Sequence, residues 1–433
     1  MNRLGSIGLR AFYAAILALA IASTALGDHS RRESSGDFRP FLDAFKWIEE
    51  GREAFRFDTF GDEAFWGARL RLHEALVTVP PSTALAVGLK VDVDALPRSL
   101  RRDLKRGRVD LEDPDTTLAL LKLNAVVGVT GFFENDRLES VGIQCALCHS
   151  VVDDSFAPGI GRRLDGWANR DLNVGAIIGL APDLSAFAEP LGVDEDTVRS
   201  VLESWGPGKF DASLLLDGKA FRDDGKSGAV LIPPAFGLAG VNLHTWTGWG
   251  SVSHWNALVA NLEMGGQGTF IDKRLDDALR FPIAARTGAS EVRSEVDRVS
   301  PKLAALQMYQ LALKSPKPPR HSFDRRAAKR GQELFRGQAN CASCHVGPKF
   351  TEPGHNLHTP EEIGIDAFQA NRSPTGAYRT SPLGGLWTHG KGGYYHDGRF
   401  PTLLDVVKHY DDFFGLSLSA DERSDLVEYL KSL

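Results

Sequence analysis

Two five-residue patterns constrain this 433-residue chain more than anything else in it: Cys145-Ala146-Leu147-Cys148-His149 and Cys341-Ala342-Ser343-Cys344-His345. Their four cysteines are all the cysteines present. Two thiols three positions apart on one helical turn reach the two vinyl groups of a haem, and the imidazole of the next residue binds the iron. Two covalently attached haem c groups are therefore expected, anchored by Cys145 with Cys148 and by Cys341 with Cys344, with His149 and His345 as proximal ligands. The competing readings are a zinc site made from two Cys-x-x-Cys knuckles and a thioredoxin-like dithiol. Neither requires a histidine after each pair, and histidine is only 12 of the residues.

The first 27 residues read as a secretory leader. Arg3 and Arg10 are its only charges, Ala14 to Ala22 is an apolar run, and Ala25-Leu26-Gly27 is a small-x-small cleavage site before Asp28. The run is short for a stable membrane span, so export to the periplasm is expected rather than an uncleaved anchor. The formal charge of −6 becomes more negative when the leader is removed, and no basic stripe suits a phosphate backbone, which argues against nucleic acid as a partner. The length exceeds one haem domain several times over.

Along the chain, 28–313 is expected to hold an N-terminal helical extension and the first haem domain, 314–322 a Pro-rich linker around Pro316-Lys317-Pro318-Pro319, and 323–433 a second cytochrome c domain. Apolar spacing predicts helices over 41–48 and from Ala64 through Leu76, and the basic run 98–106 reads as a solvated helix face or a docking patch. Val126-Val127-Gly128-Val129-Thr130 reads as extended. A helix over 324–335 is expected with Ser322 as its cap, and Ser419 with Glu422 forms a capping box for a last helix. The only internal duplication visible is the haem motif.

Whether an iron carries electrons or reacts depends on its far-side ligand. Methionine occurs only at Met1, Met264 and Met308, and no His or Met lies between His149 and His244. Far-side candidates for the first haem are His73, His244, His254 and Met264. For the second they are His355, His358, His389, His396, His409 and Tyr410, since no methionine follows it.

The stretch Leu386-Trp387, then Tyr394-Tyr395-His396-Asp397-Gly398-Arg399-Phe400-Pro401-Thr402-Leu403 through His409-Tyr410, resembles the signature of the bacterial diheme cytochrome c peroxidases. That superfamily also holds the diheme enzyme that matures methylamine dehydrogenase. The resemblance implies that Tyr410, at the register of the peroxidases' methionine ligand, binds the second iron, as a tyrosine does in the maturing enzyme; His409 is the alternative. It implies a haem-edge role for His396. Trp246-Thr247-Gly248 resembles the family's Trp-Asp-Gly, whose tryptophan passes electrons between haems, with Trp249 and Trp255 as rivals and a plain core aromatic as the alternative. Asn256 and Glu263 fall near the positions of its distal amide and acid, Glu263 as a solvated surface acid being the alternative. Trp205 to Asp211, Leu231 to Gly237 and Thr247 to Gly250 are similar to segments of the diheme rubber oxygenases, though this chain is much shorter.

The expectation is a mainly α protein with two cytochrome c-like haem domains, the N-terminal extension and a Gly/Pro-rich insert around 205–250. Its expected function is a periplasmic peroxidase-like oxidoreductase. Trp246 and Glu263 carry the catalytic roles, and His149, His345 and Tyr410 or His409 bind iron. A small redox protein, a c-type cytochrome or a cupredoxin, is the electron partner, and peroxide or dioxygen the co-substrate. The rivals are a dioxygenase on a hydrophobic substrate, a maturation enzyme acting through Trp246, and a non-catalytic electron carrier. Calcium between the domains is a further cofactor open to such a protein, and the sequence specifies no site for it.

Overall fold

A computed structural model describes residues 38–352 and 354–433; the leader lies outside them. The described residues before Lys46 are the first turns of helix α1 (Phe38–Phe57), and the compact unit runs from Lys46 to Leu433. It is mainly helical, with short two-stranded pairings in place of a large sheet. No helix among the described residues is long and apolar enough to cross a membrane.

The extended stretch before the first motif becomes an antiparallel hairpin, β1 (Val129–Glu134) on β2 (Arg137–Ile143), whose end delivers the chain to Cys145. The helix expected from Ala64 through Leu76 is broken instead. Ala64–Arg69 winds as a π turn, Arg71 takes a left-handed φ of 56°, and a short helix resumes at Leu72. The basic run forms a helix over Arg98–Lys105 with none of its residues fully buried. The region 205–250 holds only short elements between its glycines and prolines, as the composition implied.

Two helix crossings frame the molecule. In the C-terminal part α6 (Arg325–Arg336) lies across α8 (Ala420–Lys431), after α7 (Leu403–Phe414). A β-carbon on Gly331 would stand 2.0 Å from the Asp425 carbonyl oxygen, so only glycine allows this approach. One turn on, Phe335 meets Tyr429 edge to face at 5.2 Å, and Arg330 forks onto Asp425 at 2.6 and 2.5 Å. The cap of α6 is Asp324, which accepts from the N–H groups of Arg326 and Ala327; the expected cap, Ser322, bonds Pro319 instead. Aspartate at the N-cap also faces the positive end of the helix dipole, an advantage serine lacks. The capping boxes at Thr402 with Asp405 and at Ser419 with Glu422 are both formed.

The same device recurs at the other end of the chain. A β-carbon on Gly51 of α1 would stand 1.9 Å from the Ala305 carbonyl oxygen of α5 (Leu303–Ala312), and Phe55 packs on Tyr309 at 5.5 Å. Gly51-Arg52-Glu53-Ala54-Phe55 matches Gly331-Gln332-Glu333-Leu334-Phe335 in its Gly-x-Glu-x-Phe frame. A second duplication thus accompanies the haem motif, against the expectation that the motif stood alone. Between α1 and α5 lie α2 (Val174–Gly179), α3 (Glu195–Trp205) and α4 (Val252–Leu258).

Candidate haem sites and the acid beside the first

Each motif histidine is oriented by its own backbone contact. His149 Nδ1 lies 3.1 Å from the Pro233 carbonyl oxygen, and His345 Nδ1 lies 2.9 Å from that of Phe350. A carbonyl accepts only, so it fixes the proton on Nδ1 and leaves Nε2 as the acceptor nitrogen, the tautomer an iron requires; the Ser381 carbonyl also reaches the His345 ring. Burial lowers both rings' pKa, His149 to about 4, so they stay neutral. Burial also pushes the Cys145 and Cys148 thiols up to about 12 and Cys341 to about 11. A reactive dithiol needs the opposite shift, and the thioredoxin-like reading fails on that ground. The zinc reading fails on geometry: among the described residues no metal-sized cluster unites cysteines of the two motifs.

These sites fit haem c. Besides the paired thiols and the Nδ1-protonated histidines, Arg379 is a half-buried guanidinium with no ion-pair partner among the described residues. Burial alone lowers its pKa to about 10, while Nε and one terminal nitrogen donate to the carbonyls of Thr245 and Leu243. A half-buried cation without a counter-charge suits a propionate.

Around the first motif, Cys145 and Ala146 pack with Phe55, Phe60, Val127, Val259, Ala260 and Met264. Val259–Glu263 forms a π turn at the end of α4, with Met264 N–H bonding Val259 O, and such turns re-aim the side chains that follow. Glu263 is half-buried rather than freely solvated. It makes no hydrogen bond or ion pair among the described residues, and burial, reinforced by Asp211, raises its pKa well above the usual carboxylate range. Asp62, fully buried, receives Ile143 N–H at 3.2 Å, and burial lifts it to about 9. Among the far-side candidates, Met264 sits in this apolar cluster, His244 Nε2 faces Val241 O at 3.1 Å, and His254 lies beside Asp272 among Trp249, Trp255 and Phe270. Asn256 is occupied by Gln310 at 2.7 Å.

Around the second motif, α7 presents adjacent residues in different directions. His409 Nε2 lies 3.1 Å from Ile363 O, among Phe400 and Phe413. The Tyr410 phenol is close enough to Cys341 and Cys344 to feel both thiols, with Tyr395 facing it at 6.2 Å; burial raises its pKa and the Tyr395 hydroxyl opposes that. His358 is paired with Glu352 at 2.6 Å, and His396 stacks on Tyr378 at 5.1 Å.

The two halves meet on residues 231–233. Leu231 N–H bonds the His396 carbonyl at 2.6 Å, Trp246 Nε1 donates to Leu231 O at 3.0 Å, and Pro233 holds His149. Trp246 is half-buried, whereas Trp249 is buried and donates to Asp272. Sequence reading missed three further connections. Arg372, from the C-terminal part, is fully buried on Asp217 at 2.7 Å and Asp211 at 3.1 Å; Trp167 meets Trp387 edge to face at 5.3 Å; and Arg222 pairs with Asp397. Nothing local marks such pairs in a sequence, because their partners are more than a hundred positions apart.

Residues 328–433 match the cytochrome c family model. The Methylamine utilization protein MauG of Methylorubrum extorquens is 33% identical over 30% of this chain and 43% of its own length, so the match spans less than half of that relative. The structure of hydrazine synthase from Kuenenia stuttgartiensis aligns over 49% of this chain and 75% of that one, at 21% identity and a TM-score of 0.28. The chain carries a cytochrome c domain, and such a domain holds haem c covalently.

Proposed function

We propose that the protein is an exported diheme c-type oxidoreductase that reduces peroxide, with an open haem on His149 and a second haem held by His345 and Tyr410. The observation that carries this reading is Glu263, a half-buried carboxylic acid with no hydrogen bond or ion pair among the described residues, on a π turn packed against the first motif. Bound at these motifs, haem c supplies one-electron redox chemistry. The chain's own part is to move a proton. Glu263, protonated because burial disfavours its anion, gives a proton to the leaving oxygen as the O–O bond of hydrogen peroxide breaks. Two electrons from a small redox protein and two protons in all, one of them passing through Glu263, which is then reprotonated from solvent, convert the peroxide to two waters. The likeness to MauG supports the superfamily, and the Trp246 ring on Leu231, between the backbone contacts of His149 and His396, supports an electron-relay role for that tryptophan.

Cyanide is expected to bind one haem per chain. Glu263→Gln should leave cyanide binding intact and slow peroxide turnover by about 10²–10⁴-fold, and the wild-type rate should fall as pH rises through the raised pKa of Glu263. Turnover of a hydrophobic substrate with dioxygen that ignores Glu263→Gln would favour the dioxygenase. Two haems indifferent to every added ligand would leave an electron carrier.

A further inference from the structure

Arg170 and His389 come from opposite halves of the chain, lie close enough to interact electrostatically, and each holds a buried nitrogen without a hydrogen-bond partner. Arg170 follows Asn169, whose N–H bonds Cys148 O at 2.9 Å and so ties this segment to the first motif. Arg170 is buried, with 6% of the residue exposed, yet Nε and one terminal nitrogen have no hydrogen-bond partner. The neighbouring carboxylate, Asp171, is already committed to Lys90 at 2.7 Å and to Lys391. The loop carrying His389 lies against this guanidinium: a β-carbon on Gly392 would stand 3.9 Å from its terminal nitrogen. His389 Nε2 is also sequestered and unpartnered, beside Phe236 at 6.3 Å, and its ring is held neutral by burial and by Arg170.

A neutral imidazole that carries its proton on Nε2 donates there, and a guanidinium only donates. The cluster therefore gathers donors and a positive charge with no free carboxylate; the acidic group that acts on Arg170 is the Tyr394 phenol, which burial keeps neutral. Water satisfies a donor but not an uncompensated buried cation, whose desolvation costs several kcal/mol in general unless an anion faces it. We infer that Arg170 and His389 form a seat for a carboxylate at the seam between the two halves. Resting on the haem reading above, the inference gives that carboxylate two sources, a haem propionate or a small free acid. A propionate there would tie the haem to both halves of the chain at once.

The test uses the haem-loaded full chain. If the seat holds a propionate, Arg170→Gln lowers the midpoint potential of one haem and leaves the other unchanged, because loss of a positive charge favours the ferric state. Arg170→Lys restores most of that potential, and His389→Gln shifts the same haem less. If the seat takes a free acid, potentials stay put, and sodium acetate shifts the wild-type haem spectrum saturably but not that of Arg170→Gln. Should Arg170→Gln fail to fold, Arg170→Lys and His389→Gln carry both measurements. Folded, fully loaded variants with wild-type potentials and an unchanged acetate response overturn the inference and leave the haem reading standing. A chain whose intact mass shows no haem overturns both.

Discussion

The two haem motifs are framed alike and surrounded differently. Gly51, Phe55 and Tyr309 repeat the crossing made by Gly331, Phe335 and Tyr429, and each motif histidine hands its Nδ1 to a backbone carbonyl. Beyond that frame the carboxyls diverge. Beside the first motif, burial raises both Asp62 and Glu263. Beside the second, burial works the same way on Glu352 but is outweighed by hydrogen bonds from Thr380, His358 and Asn356, which hold it below its ordinary value. One frame thus carries a site whose carboxyls are pushed toward their neutral form and a site with a carboxyl pushed toward its anion and a phenol. The proposed proton delivery draws on the first kind, and the proposed ligation by Tyr410 on the second.

The largest test of this pairing removes the anchors. Cys145→Ala with Cys148→Ala, and Cys341→Ala with Cys344→Ala, should each subtract one haem unit from the intact mass of the protein, leaving the other in place. A loss of both haems from either double variant would show that the halves do not load independently. Next, Gly51→Ala and Gly331→Ala should each destabilise the fold by about 1–3 kcal/mol, since each new β-carbon meets a carbonyl oxygen that the crossing cannot move cheaply. Denaturant midpoints check this, and a neutral Gly51→Ala would break the parallel between the two crossings.

The second site's ligand is sharper to test and smaller in effect. Tyr410→Phe should abolish one low-spin haem signal and move that haem's potential, while His409→Ala leaves both, because His409 is spent on Ile363. The reverse result would shift the ligand by one position on α7. A last test, read across pH, concerns Asp62. Its folded pKa, about 9 against 3.8, is raised, so the folded state holds the extra proton and this group's contribution is complete below about pH 4 and lost as pH climbs toward 9. Asp62→Asn should flatten that decline, measured as unfolding free energy at several pH values.

Much of this was legible before any coordinates. The Cys-x-x-Cys-His spacing is chemistry written in five consecutive residues, and the capping box at Ser419 is read within one helical turn. The Gly-x-Glu-x-Phe frame was equally local; it escaped because a hairpin and several helices separate Phe55 from Cys145, whereas Cys341 follows Phe335 almost at once. The break at Arg71 went unseen because the apolar spacing of Leu70, Leu72 and Leu76 serves a helix and an interrupted turn equally well.

The sequence by itself determined which residues can anchor haem, because attachment depends on neighbours in the chain. It left Tyr410 and His409 equivalent in kind, and Glu263 open between surface and interior. Tertiary structure decided what each faces: a rotation of about 100° between successive helix positions aims Tyr410 at the second motif's thiols and His409 at Ile363. The environment of Glu263 was likewise a product of folding, since its raised pKa comes from the desolvation of a π turn packed on Ala146, and from Asp211, more than fifty positions away. Desolvation and long-range charge have no local spelling. They exist only once the chain has closed around the group.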